Sequence, residues 1–286
     1  MQRSDVGPRR VWLGYLCLSL ILSVGADPLR AQAHDGHARP AREKLPATWS
    51  QLPLLQAAGR STPDGLPFSV SGMAADELRV LASGAPAVPI TYTAARGRWM
   101  VKPQAGGGFH WLETVQQSPE FHYRASTAWA FPGHGTSPEG LLRVAGEGLE
   151  IRPLLLPERG GFREGSTWRF KVLMHGQAVF AAPVLLETEN GTRQHFSTDG
   201  DGIVQIVFPR DYRVEMIDSA QGAARTRKGF LLSSSVTRDE VRHLTTFSNF
   251  YTPDLLRERS VAWGAAFALL GGLLAVPLLR RKEKKS

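Results

Sequence analysis

The chain has 286 residues, 42% of them hydrophobic, and a formal net charge of +8. That excess sits at the ends: 1–33 carry +2, 260–286 carry +4, and the 226 residues between them carry only +2. A nucleic-acid binder would concentrate its basic residues on the folded part, so that class is set aside. The only cysteine, Cys17, lies in an apolar run near the start; once that run is removed, the chain has no disulfide, thiol nucleophile or cysteine metal site.

The first element has the form of an export signal spanning 1–33. Arg9-Arg10 gives a basic start, 11–26 is almost unbroken apolar sequence, and Ala31-Gln32-Ala33 is a small-x-small cleavage site. A second candidate site follows Ala26. The segment 34–66 is rich in Pro, Ala and Arg and reads as an extended arm, with a short helical turn near 52–58.

Strand signals recur from Phe68. The runs 78–82, 88–93, 98–102, 109–116 and 121–131 are short, rich in β-branched and aromatic residues, and separated by Gly, Pro or Ser. They predict a first Ig-like sandwich domain over 67–132. A stretch with five glycines and two prolines, 132–148, marks a domain boundary. A second sandwich domain is expected over 146–250. In 167–174, Trp168, Phe170 and Val172 fall on one face and Arg169 and Lys171 on the other, the period of a half-buried strand. The runs 183–189 and 192–198 flank Asn190-Gly191, a strong hairpin signal. Thr198-Asp199-Gly200-Asp201-Gly202 turns the chain into 203–208, and the runs 230–235 and 241–250 complete the series.

The last element, 261–279, contains no charged residue. Nineteen helical residues at about 1.5 Å each span roughly 28 Å, close to the hydrocarbon thickness of a bilayer. The basic tail 280–286 follows. Positive flanks stay inside, so the expected topology is a single-pass bacterial inner-membrane protein with its folded part in the periplasm and its C-terminus in the cytoplasm.

No catalytic constellation stands out, and the chain reads as a non-enzyme. Asp199-Gly200-Asp201-Gly202 lacks the further oxygen ligands of a calcium loop and reads as a turn. The informative residues are the eight histidines. Cleavage after Ala33 would make His34 the terminal residue, with His37 three positions on; the terminal amine and its own imidazole can chelate one ion, and nitrogen donors suit nickel, cobalt and copper. His110, His122 and His134 recur every twelve residues, and adjacent antiparallel strands could bring two of them together. The metal candidates are therefore His34, His37, His110 and His122. His175, His195 and His243 receive no role.

Three segments carry a resemblance: Gly148-Leu149-Glu150-Ile151-Arg152-Pro153-Leu154, then Phe162 to Gln177 with Phe170-Lys171-Val172-Leu173-Met174-His175-Gly176, then Thr198-Asp199-Gly200-Asp201-Gly202. In their order over roughly 124–235 they resemble the extracytoplasmic family described as a nickel-uptake substrate-specific region, or periplasmic component of cobalt transport systems. The third segment is also shared with Ig-like and carboxypeptidase-regulatory-like domains. The resemblance implies a β-sandwich outside the membrane that assists nickel or cobalt uptake. With the strand pattern, the expected fold is all-β, two Ig-like or carboxypeptidase-regulatory-like sandwich domains, and the expected partner is a multi-span metal permease or another membrane protein. Neutral imidazoles would bind the ion, and binding would weaken below about pH 6.5. Two other expectations are an Ig-like protein-interaction module tethered to the inner membrane without metal, and periplasmic copper handling.

Overall fold

The computed structural model describes residues 49–254, apart from 61, 63–64, 85–88, 105–107, 132–136, 145, 158–160 and 214–226. The expected signal 1–33, most of the arm, the span 261–279 and the tail 280–286 lie outside the described residues. Among the described residues no helix is long and apolar enough to cross a membrane.

The described residues are mostly β-strand with almost no helix, as the alternating sequence predicts. The strands are β1 (Leu54–Ala57), β2 (Leu66–Ser71), β3 (Glu77–Ala82), β4 (Ile90–Thr93), β5 (Trp99–Val101), β6 (Phe109–Gln117), β7 (Phe121–Ala130) and β8 (Leu149–Pro153). There follow β9 (Phe162–Arg163), β10 (Thr167–Met174), β11 (Gln177–Ala178), β12 (Pro183–Thr188), β13 (Arg193–Ser197), β14 (Ile203–Val207), β15 (Lys228–Arg238) and β16 (Val241–Thr252). One short helix, α1 (Glu139–Arg143), lies in the glycine-rich stretch.

One sheet holds strands from both sides of the boundary expected at 132–148, and the two buried clusters share β3, β6 and β7. A nine-stranded sheet runs β13-β12-β15-β16-β7-β6-β3-β4, with β9 also on β16. Its two halves join where β16 pairs parallel with β7, from Arg242↔Phe121 to Ser248↔Thr127. Among the described residues there are also a three-stranded sheet, β1-β2-β5, and a four-stranded sheet of β11, β10, β14 and β8. Successive residues of β6 serve different cores: Trp111 packs with Phe170, Phe230 and Phe247, and Leu112 with Phe68, Val80 and Trp99. This follows from the two-residue period of a strand covered on both faces.

The helical turn expected near 52–58 is instead strand β1, which pairs antiparallel with β2 from Leu54↔Ser71 to Ala57↔Phe68. Its sequence, Leu-Leu-Gln-Ala, suits a helix by propensity, but tertiary pairing decides. The Pro53 carbonyl accepts from the Thr246 hydroxyl at 2.7 Å, and the Leu55 carbonyl accepts from the Ser248 hydroxyl. The hydroxyls of the central strand thus meet backbone groups of the segment that covers them.

Turn chemistry follows the sequence closely. Asn190-Gly191 forms the expected hairpin: the Gly191 N–H, at φ +96°, donates to the Thr188 carbonyl at 2.9 Å. Asp199 closes its own turn, its Oδ1 accepting from the Asp201 N–H at 3.0 Å and the Ile203 N–H at 2.8 Å. That carboxylate is a turn acceptor, as the sequence reading held. Gly202 (φ +71°) has no room for a side chain, since a Cβ would lie 2.8 Å from the Val172 carbonyl oxygen.

Candidate functional site: a histidine cluster at one end of the central sheet

The parallel register of β7 and β16 sets His122 directly beside His243. Their rings stand edge to face, with centroids 5.0 Å apart and planes at 89°. A third histidine approaches from the opposing sheet. His175 and Gly176 are the two central residues between β10 and β11, with φ of +50° and +78°, and Met174 pairs with Gln177. Two positive φ values in a two-residue loop match the right-handed twist of the strands they join.

His175 is tied to the start of β8 by two hydrogen bonds. Its N–H donates to the Gly148 carbonyl at 2.9 Å, and its Nδ1 accepts from the Gly148 N–H at 3.2 Å. A cleft of about 290 Å³ opens here, lined by His122, Tyr123, Arg124, Glu147, Leu149 and His175. Burial, the first cause, and the neighbouring His122, His175 and Arg238 hold the His243 imidazole below its ordinary pKa; Asp239 acts in the opposite direction.

Two buried ion pairs follow, the first through Arg124 of the cleft lining. Arg124 meets Glu113 at 2.7 Å, both side chains 7% exposed, and also donates to the Glu147 carbonyl. Arg152 meets Glu150 at 2.7 Å, donates to the Leu141 carbonyl at 3.3 Å and lies 5.0 Å from the Trp111 ring centroid. These carboxylates are committed to buried partners. A further polar group closes the other end of the sheet, where the Tyr251 hydroxyl donates to Asp211 at 2.5 Å and the Tyr212 hydroxyl donates to the Tyr251 carbonyl at 2.7 Å. Burial raises the pKa of both tyrosines far above the ordinary value.

Of the two metal candidates from the sequence that are among the described residues, His110 and His122, only His122 belongs to the cluster. His34 and His37 lie outside the described residues, as does His134. His110 and His122 do not converge, because the β6–β7 register pairs His110 with Trp129 and Gln117 with His122. Seven residues of strand separate Trp129 from His122, about 23 Å. His110 is instead a core residue at 0% exposure. Its Nε2 accepts from the Gln104 N–H at 3.0 Å, and its ring meets Phe131 edge-on at 4.7 Å. His195 lies on the edge strand β13 with an exposed side chain. Sequence reasoning missed His175 and His243. No local pattern marks them, since three non-contiguous elements bring the cluster together.

Burial lowers the His110 pKa, against the opposing effect of the Gly108 carbonyl. The folded state therefore resists a proton that the unfolded chain accepts near pH 6.5. Stability is then full above that pH and falls as pH drops through the folded-state pKa, with His243 contributing in the same sense. In urea titrations between pH 7.5 and pH 5, a His110→Gln variant should lose part of this dependence. An unchanged slope would remove His110 as a source.

Among the described residues, no group of three or more His, Cys, Asp or Glu side chains is placed to hold a metal ion. No protein-family profile and no curated protein matches the chain. Solved structures similar to it include a Ca²⁺-stabilized adhesin with which an Antarctic bacterium binds ice, at 14% identity and a TM-score of 0.24, covering 71% of this chain and 48% of that one. Another is a segment of two fibronectin type III domains from chicken tenascin, at 9% identity and a TM-score of 0.22, covering 70% and 98%. A third is the β-glucuronidase of Parabacteroides merdae, at 11% identity and a TM-score of 0.21, covering 71% and 24%. The chain thus spans about half the length of the adhesin structure.

Proposed function

We propose that this chain is a periplasmic accessory protein of a nickel or cobalt uptake system, tethered to the inner membrane by the span 261–279. On this reading it is not an enzyme. It folds as two Ig-like sandwiches sharing one sheet, captures a divalent ion and docks on a multi-span permease.

The observation that supports the reading is the folding together of the segments that carry the resemblance. Gly148–Pro153 contributes β8, which pairs with β10 from Met174↔Leu149 to Phe170↔Pro153. The His175-Gly176 turn is hydrogen-bonded to Gly148. The Thr198–Gly202 turn meets β10 through the Gly202 carbonyl, which accepts from the Val172 N–H at 2.8 Å. Segments distant in sequence form one unit beside the histidine cleft. His243 and Thr252 lie nine residues apart on β16, about 30 Å, so the cleft opens well away from the point where the chain leaves for the membrane.

The exported N-terminus supplies a second capture point, His34 and His37. The protein-interaction alternative has exposed large apolar side chains in its favour, Phe180 at 72% and Leu155 at 60% among them. Nickel and cobalt accumulation in cells with and without the gene separates these readings. A several-fold loss of accumulation, together with a multi-span permease in the detergent-extracted complex, is expected. Unchanged accumulation of both ions would sink the uptake reading, and loss of copper tolerance alone would move it to copper handling.

A further inference from the structure

We propose that the end of the fold from which β16 leads on toward residue 261 is a docking surface for anionic phospholipid headgroups, and that it holds the folded part upright on the membrane. The assignment rests on the reading of 261–279 as a tether and deepens it.

Strand registers sort the charged side chains into two ends. At the end of β16, Thr252 pairs with Arg163 and Tyr251 with Lys228. The Gly165 N–H donates to the Phe208 carbonyl at 2.9 Å, and the Tyr212 hydroxyl donates to the Tyr251 carbonyl at 2.7 Å. Those bonds bring Arg210 and Arg213 to the same end. Arg163, Arg210, Arg213 and Arg227 are all exposed. The Arg227 guanidinium lies 5.0 Å from the Phe250 ring centroid, which keeps its charge here. The acids of this end are turned to the protein. Glu164 is 1% exposed, Asp211 accepts from the Tyr251 and Thr188 hydroxyls, and Glu189 pairs with Lys228 at 2.9 Å.

The start of β16 carries the opposite charge. Asp239 and Glu240 form the loop between β15 and β16, and the Glu120 carbonyl accepts from the Arg242 N–H at 3.0 Å. Glu147 precedes the Gly148 that His175 holds, and Asp199 and Asp201 lie in the turn that follows β13. All of these acids are exposed, and the exposed Arg238 and Arg242 offset them only in part. Among the described residues, charge is therefore polarised along β16, whose ends are about 37 Å apart.

Chain length decides which end reaches lipid. Seven residue steps separate Asp254 from Val261, at most about 25 Å when fully extended. The basic end thus stays within reach of the headgroups, and with the strands upright the acidic end is a further length of β16 away. A folded part lying flat would bring its acidic end against the same negative surface. Each arginine brought up to an anionic surface shifts the balance about fivefold toward contact. Leu155, 60% exposed, follows β8 at the basic end, and Val207, 50% exposed, pairs with Thr167 there. Both offer apolar area that the headgroup layer can cover.

The test uses the full-length chain, with Cys17→Ser, in nanodiscs of phosphatidylcholine with or without phosphatidylglycerol. A fluorophore at Val207→Cys reports on the basic end and one at Asp201→Cys on the acidic end; acrylamide, an uncharged quencher, measures their exposure. Phosphatidylglycerol should lower quenching of the first label several-fold and leave the second unchanged. Salt at about 1 M, where the Debye length falls to about 3 Å, should restore the quenching. Arg163→Gln/Arg210→Gln should restore it too, whereas Arg238→Gln/Arg242→Gln should not. If the first pair melts early, Arg163→Gln/Arg213→Gln replaces it. Equal quenching of the first label in both disc types overturns the docking surface and leaves the tether standing. Shielding of that label in cell membranes but in neither disc type also overturns it, and assigns this end to a protein partner. The tether has its own readout: alkaline carbonate should leave the chain in the membrane pellet, and its release would overturn tether and docking surface together.

Discussion

Arg124→Ala should destabilise the protein by about 3–5 kcal/mol, the cost of leaving a buried charge without its partner. Glu113 is the charge left behind. Its Oε2 takes a 2.7 Å bond from Arg124 and a 3.3 Å bond from the Trp111 indole N–H. The remaining cation, Arg79, lies 3.6 Å from the other oxygen and is 42% exposed, so solvent screens it and it compensates only in part. Arg124 also ties β7 to the Glu147 carbonyl ahead of β8, so the substitution loosens the segment that holds Gly148 and His175. Urea unfolding of the full-length chain, read by tryptophan fluorescence, measures the loss. A double variant, Arg124→Met with Glu113→Gln, keeps an acceptor for Trp111 and removes both charges. It should recover a large part of the loss, because removing a buried pair costs less than breaking one. If the double variant is as unstable as the sum of the singles, the ion pair is not the origin of the effect.

Much of the fold was legible because strand periodicity is local. The sequence alternation sets Trp168, Phe170 and Val172 on one face of 167–174, and the strand has those bounds, with Phe170 and Val172 at 0% exposure. Asn190-Gly191 and the Asp199 turn were legible for the same reason, since each is settled by a few adjacent residues. What stayed hidden was pairing between distant segments. Thr246 and Ser248 alternate with Thr245 and Phe247, and as isolated residues they describe a wet face. In the fold that face is covered by β1 and the residue before it, and the Pro53 and Leu55 carbonyls accept hydrogen bonds from the two hydroxyls. By its own residues the segment 52–58 accordingly belongs to an arm. The parallel pairing of β16 with β7 has no local signature either, because the two strands are about 120 residues apart and no turn joins them. The even spacing of His110, His122 and His134 drew attention to a hairpin whose register keeps His110 and His122 far apart, while His243 became the neighbour of His122 through the pairing that sequence could not show.

The same seam makes Phe247 the most consequential apolar side chain to truncate. It is 0% exposed and lies on β16, opposite Ser126 in the pairing with β7. Its ring stacks on Trp111 of β6, with centroids at 5.6 Å and planes at 13°. It also meets Phe170 of β10 at 5.9 Å, Phe230 of β15 at 6.2 Å and Phe162 of β9 at 6.5 Å. Four strands from two sheets therefore line the space that Phe247→Ala would empty. Each of these strands is held by its own ladder, so the walls cannot close on the cavity, and the cost belongs near the top of the range for such truncations, about 3–5 kcal/mol. For a folded part of this size that corresponds to a melting point lower by roughly 6–20 °C. Phe250→Ala gives the contrast, since Phe250 lies on the same strand but is only half-buried; it should lose markedly less. Phe247→Leu, which keeps most of the volume, should fall between them. If Phe247→Ala melts within about 3 °C of the parent, the aromatic cluster repacks. The two halves of the sheet would then be held by the β7–β16 ladder and its hydroxyl bonds, and not by the core beneath.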